Sequence, residues 1–152
     1  MGVSSRKIRR VREGDLPSLV SLCRDHAVYE GSEYHENGQK DRLHTALFGP
    51  RPLLHGWVVD AEDELAGFMT ATIDYATWPA DFFLHMDCLY LKPAFRGQGL
   101  GQELIENLRQ FAREKKINLI QWQTPSHNDL GIRFYERLGA YSKDKKRYFL
   151  DV

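Results

Sequence analysis

Arg96-Gly97-Gln98-Gly99-Leu100-Gly101 puts three glycines within five positions. Lacking Cβ atoms, they let backbone N–H groups come close to a ligand, and phosphate is the natural one. The spacing is neither the long phosphate loop closed by Lys-Ser/Thr nor the dinucleotide G-x-G-x-x-G pattern. An anion at the start of a helix near residue 100 would also gain unpaired N–H groups and the favourable end of the helix dipole. The other reactive types are dispersed. Cys23 and Cys88 suggest core thiols rather than a disulfide framework or metal site. His26, His35, His44, His55, His85 and His127 form no ligand spacing, so no metal is expected.

The elements that must present this loop follow from periodicity. Residues 82–91, "FFLHMDCLYL", are apolar on both alternating faces except for His85 and Asp87, which predicts a covered central strand. After the loop, Leu100, Leu104, Leu108 and Phe111 recur at helical spacing with Ile105 and Ala112 beside them. Strand, glycine loop and helix therefore form one unit. Upstream, a strand is expected at 7–12 and a helix from Asp15 with a Leu16, Leu19, Val20, Cys23 stripe. A shorter helix is expected at 39–47, with strands at 53–60 and 65–74 around the acidic "DAEDE" turn. Downstream, a strand at 117–123 precedes a short helix that ends at Gly139, suited to positive φ. The terminal "KRYFLDV" is read as a last strand.

The chain's 152 residues fit a single domain, here 6–152 after a short tail at 1–5. Twenty-one basic and 21 acidic residues balance, giving no overall attraction to nucleic acid or membrane. No apolar run is long enough to cross a bilayer, and a soluble cytoplasmic protein is expected. The basic cluster of Arg6, Lys7, Arg9, Arg10 and Arg12 fits a nucleic-acid-binding arm less well than an edge strand carrying solvated cations.

"LKPAFRGQGLGQELI" resembles the R-x-x-G-x-G/A acetyl-CoA region of the GNAT family of N-acetyltransferases, and "NDLGIRFYERLGA" resembles the segment that follows it there. The resemblance extends over nearly the whole chain. It implies an α/β GNAT acyl-CoA N-acyltransferase fold, a mixed central sheet with a splayed strand pair and helices on both faces. "AVYE", "LFGP", Trp78 and "MDCLYL" are similar in placement to the diamine and spermidine/spermine subgroup. That likeness implies acetyl transfer from acetyl-CoA to a primary amine of a small cationic substrate, a diamine or polyamine, by direct attack in a ternary complex. Protein N-terminal or lysine acetylation is the enzymatic alternative, and a non-catalytic acetyl-CoA-binding protein the other.

The same resemblance assigns roles by position. Leu89 and Leu91 would meet pantetheine through their backbone, and Arg96, Gly97, Gln98, Gly99, Leu100 and Gly101 would wrap the pyrophosphate. Arg96 is a phosphate contact or a solvated loop cation. Asp87 matches the strand acid that accepts the amine proton; with Asp where the subgroup usually has Glu, a water relay is favoured over direct transfer. Tyr135 matches the tyrosine that protonates the departing thiolate, though Phe134 and Leu138 beside it also suit a core position. Asn128 matches a cofactor contact or is a helix cap. Tyr29, Glu30, Glu33, Tyr75, Trp78 and Asp81 would recognise an extended cation, or are ordinary rim residues. A homodimer is implied, because several related enzymes pair.

Overall fold

The amphipathic helix read from Leu100 onward is present as predicted, and it fixes one face of the protein. In the computed structural model, which describes residues 5–152, this helix spans Leu100–Glu114 and buries Leu100, Leu104, Ile105, Leu108, Phe111 and Ala112. The strands are β1 (Lys7–Arg10), β2 (His55–Asp60), β3 (Leu65–Ala76), β4 (Asp81–Leu91) and β5 (Ile120–Gln121). The helices are α1 (Leu16–Tyr29), α2 (Gln39–Phe48), α3 (Leu100–Glu114) and α4 (Asp129–Arg137). The five strands run in the order β1-β2-β3-β4-β5, antiparallel except for the parallel β4–β5 pair.

Two apolar layers sandwich the sheet. Trp57, Val59, Met69, Leu84 and Met86 pack against α3, with Phe134, Tyr135 and Leu138 joining at the edge. On the opposite face Val58, Phe68 and Tyr90 meet Leu16, Leu19 and Leu22 of α1 and Leu47 of α2. Part of the basic cluster forms the edge strand β1, with Lys7 and Arg12 exposed as expected but Arg9 and Arg10 engaged. Arg9 bonds Asp15 at 2.7 Å and Asp60 at 2.9 Å, while Arg10 lies 4.4 Å over Trp57.

Two irregularities in β4 shape the site. Pairing with β3 runs from Gly67–Leu91 to Thr70–Cys88 and then jumps to Ala71–Met86, so Asp87 is the extra residue of a bulge. The jump changes the phase of the strand. Leu84 and Met86 before it, and Leu89 and Leu91 after it, all pack on the α3 side. The bulge thus accounts for the apolar run on both alternating positions. On its other side β4 pairs with β5 only at Leu84–Ile120 and His85–Gln121. From Met86 onward the two strands part, which is the splayed pair expected of the fold.

Two expected strands are curtailed. The predicted 117–123 strand reduces to Ile120–Gln121, because parallel pairing ends where β4 diverges. The predicted final strand at 146–152 is not formed within the chain: residues 141–152 carry no helix or strand and are all exposed. They reach no strand with which to pair.

Candidate active site

Where β4 and β5 separate, side chains from three elements converge. His26, Tyr29 and Glu30 come from the last turn of α1. Met86, Asp87 and Leu89 come from the bulged part of β4, and Gln123, Asn128 and Tyr135 come from the β5–α4 segment. Together they line a small recess of about 30 Å³, room for one or two water molecules. A wider depression of about 370 Å³ adjoins it, sharing Tyr29, Glu30 and Asn128 and bounded by His127, Asp129 and Arg133.

Each wall has a local cause. Asn128 caps α4, accepting from the Gly131 N–H at 3.2 Å, while Tyr29 Oη donates to the same Oδ1 at 2.7 Å. Asn128 Nδ2 donates to Thr124 Oγ1 at 2.8 Å, which fixes the amide's orientation. Tyr135 meets Trp122 edge to face at 5.2 Å. Burial, aided by Glu30 and Tyr29, pushes its phenol up to about 12, so it carries its proton at neutral pH. The His26 ring stacks on Tyr90 at 5.4 Å, and its Nε2 is 3.3 Å from Glu30 Oε1.

The glycine loop is tied to this region by Arg96, whose guanidinium lies over the Tyr29 ring. Gly97 and Gly99 have φ of 74° and 81°, and a Cβ at either would face open space. Left-handed backbone favours glycine there, and the unobstructed side is what a phosphate group needs. Gly99 is the N-cap of the 15-residue α3, whose first N–H groups have no intrahelical acceptor. Gly101 serves packing: a Cβ would stand 3.0 Å from the Phe134 ring. Gln98 donates to the Ala94 carbonyl at 3.1 Å and accepts from Arg6. Loop and helix end therefore fit a diphosphate.

Arg96 is turned inward. Its Nε donates to the Leu91 carbonyl at 2.9 Å, and its guanidinium lies 4.8 Å over Tyr29 and 5.5 Å over Tyr90. It ties the start of the loop to α1 and β4.

Of the residues expected to recognise substrate, Tyr29 and Glu30 reach the cavity with Asp87, Leu89, Asn128 and Tyr135. Glu33, Tyr75, Trp78 and Asp81 are not among its lining residues. Glu33 pairs with His35 at 3.1 Å, Tyr75 packs on Phe82, Asp81 accepts from the Phe82 N–H, and Trp78 is 98% exposed. His26, Met86 and Gln123 were not singled out as site residues. For His26 the signal lay in its spacing, since residues 26, 29 and 30 share one face of a helix.

Both cysteine thiols are shifted toward their protonated form. Burial, reinforced by the Asp87 carboxylate, pushes the Cys88 thiol far up. The same two causes hold Cys23 at about 11, and a protonated thiol is a poor nucleophile. Among the described residues no group of three or more His, Cys, Asp or Glu is placed to hold a metal, and no helix is long and apolar enough to cross a membrane.

Comparison with known proteins agrees with this geometry. Residues 19–140 match the model of the "Acetyltransferase (GNAT) family". The thialysine N-epsilon-acetyltransferase of Bos taurus is 27% identical over 141 residues, covering 88% of this chain and 82% of that one. The spermidine/spermine N(1)-acetyltransferase-like protein 1 of Homo sapiens is 25% identical over 142 residues, 88% of this chain and 20% of that longer protein. A predicted acetyltransferase of Clostridium acetobutylicum solved with acetyl-CoA superposes with a TM-score of 0.80, covering 96% of each chain at 18% identity. The chain belongs to the GNAT acetyltransferase family and is an acetyl-CoA-dependent N-acetyltransferase.

Proposed function

We propose that the substrate is a small cationic amine, a diamine or polyamine, whose primary amino group attacks the acetyl donor directly in a ternary complex. The observation that carries this reading is the convergence of Glu30 and Asp87 with the phenol of Tyr135 in one small cavity. Two carboxylates suit an ammonium group, and the adjoining depression of about 370 Å³ gives room for the rest of a small amine. The thialysine and spermidine/spermine relatives support an amine of this kind.

Acetyl-CoA supplies an activated thioester; Gly97, Gly99 and the α3 N-terminus suit its diphosphate, and Arg96 holds that loop against Tyr29 and Tyr90. The backbone at Leu89 and Leu91 faces the pantetheine arm in this reading. An aliphatic amine is mostly protonated at neutral pH, so it must lose a proton before its lone pair can attack. Asp87 serves as relay through a water in the cavity, and Tyr135 gives its proton to the departing thiolate. The raised thiols of Cys23 and Cys88 favour direct transfer over an acyl-enzyme.

The assembly in this reading is a homodimer, and no nucleic-acid or membrane partner is part of it. A cytoplasmic site of action completes the reading. The test is an amine panel with acetyl-CoA, following thiol release: diamines, polyamines and thialysine against amino acids, lysine peptides and protein N-termini. Turnover confined to peptides would move the assignment to protein acetylation. Acetyl-CoA binding with no turnover on any amine would leave a binding protein.

A further inference from the structure

His26 precedes Glu30 by one helical turn on α1, so their side chains share a face. Its Nε2 lies 3.3 Å from Glu30 Oε1, its ring stacks on Tyr90 at 5.4 Å and 27°, and Phe68 meets it edge-on at 5.9 Å. Held on these sides, the side chain is 12% exposed, and it lines the cavity that contains Asp87 and Tyr135. We propose that His26 is the final acceptor of the proton lost by the substrate ammonium, with Glu30 orienting its ring and Asp87 passing the proton to it through water. The inference rests on the amine-acetylation reading above.

In the proposed relay the neutral ring turns Nε2–H to the Glu30 carboxylate, 3.3 Å away, and keeps its lone pair on Nδ1. The ring touches Tyr90, Phe68 and Glu30, the charged groups acting on it are Glu30 and Asp87, and Tyr29 and Tyr135 line the same cavity, with Arg96 over the Tyr90 ring. Burial lowers the imidazole pKa below its ordinary 6.5, although Glu30 and Asp87 oppose that shift. The ring is therefore neutral at pH 7 and ready to take a proton. An imidazole is also intrinsically a stronger base than a carboxylate, which narrows the uphill step from an ammonium.

The step balances. The ammonium gives one proton through water to His26, and the freed lone pair forms the C–N bond as the C–S bond of the thioester breaks. The second nitrogen proton passes to the Tyr135 phenolate, which has given its own proton to the departing thiolate. Imidazolium then releases its proton to solvent, so each turnover yields amide, free thiol and one proton.

A purely structural His26 would pack on Tyr90 and Phe68 and bridge to Glu30 without setting the pH dependence of turnover. The test compares the unsubstituted protein with His26→Gln and Glu30→Gln, using His55→Gln as a control outside the cavity. kcat and KM are measured against pH, and the His26 ring is titrated by NMR without substrate. kcat/KM is expected to rise with pH through one ionisation below the ordinary 6.5 of imidazole that coincides with the His26 titration.

His26→Gln is expected to lower kcat by about 100-fold, keep the amine KM within about twofold, lose the acid inflection and recover partly on addition of imidazole. In Glu30→Gln the inflection moves to lower pH, because a group favouring the protonated ring is gone. Normal kcat and an unchanged acid limb in His26→Gln, or a His26 titration away from the kinetic inflection, would overturn the proposal while leaving the amine assignment intact. An unsubstituted protein that acetylates no amine would instead remove the assignment itself, and the role of His26 with it.

Discussion

In the proposed mechanism Tyr135 donates a proton and Asp87 accepts one. A phenol pushed up to about 12 by burial keeps its proton across the range in which an amine becomes unprotonated. Tyr135→Phe is expected to retain the Trp122 and Phe134 ring contacts while lowering turnover by about 10- to 100-fold, with little change in acetyl-CoA affinity. The measurement is thiol release at saturating substrates; unchanged turnover across pH would show that the hydroxyl donates nothing to sulfur. Asp87 stands exposed at the bulge, with Cys88 Sγ 3.7 Å from its Oδ2. Asp87→Asn preserves side-chain size and removes the carboxylate's capacity to accept a proton. It is expected to lower kcat for a protonated amine while calorimetric acetyl-CoA affinity is maintained. A weaker amine KM at unchanged kcat would make Asp87 a cation-binding residue instead.

At the scale of elements, the Arg9 fork joins β1 to β2 and to the start of α1. Its hydrogen bonds with Asp15 are the largest influence on that carboxyl, holding it below its ordinary 3.8 against the opposing effect of burial. Asp60 is lowered chiefly by the same guanidinium. Because the folded values lie below the unfolded ones, this stabilisation is complete above the unfolded value and is lost as pH falls through the folded ones. Arg9→Met should therefore reduce stability at pH 7 by about 1.5–3 kcal/mol, and its stability should fall less steeply below pH 4 than that of the unsubstituted protein. Urea midpoints measured from pH 7 to pH 2 check both. Parallel curves in acid would show that Arg9 does not set these titrations. The bulge works at the same scale, since one extra residue in β4 keeps apolar side chains on α3 while placing Asp87 at the cavity.

For the whole molecule, the unsettled element is the C-terminus. Tyr148, Phe149 and Leu150 are 85%, 80% and 90% exposed, while β5 ends the sheet. Burying such side chains contributes about 1.5–3 kcal/mol each, and an exchanged strand in a second copy would supply both the cover and the missing pairing. Light scattering should give twice the chain mass for the full protein and the single-chain mass after deletion of residues 140–152. Leu150→Asp should weaken pairing without shortening the chain. A stable single-chain mass for the full protein throughout the active concentration range would oppose the dimer.

The glycine loop and the buried face of α3 were legible in the sequence because they are local: helical spacing fixes which of Leu100, Leu104, Leu108 and Phe111 face inward, and only a few residue types tolerate the φ of Gly97 and Gly99. Fold class and the acetyl-CoA segment followed from the resemblance those segments carry. Trp78 pointing to solvent, Arg96 turned onto Tyr29, the terminal run left without a partner and the meeting of His26 with Glu30, Asp87 and Tyr135 were not legible. These depend on which residue of β4 is left over when it pairs with β3, and on where β5 departs from it. Sheet register and strand separation are set by contacts far apart along the chain, and no local periodicity encodes them.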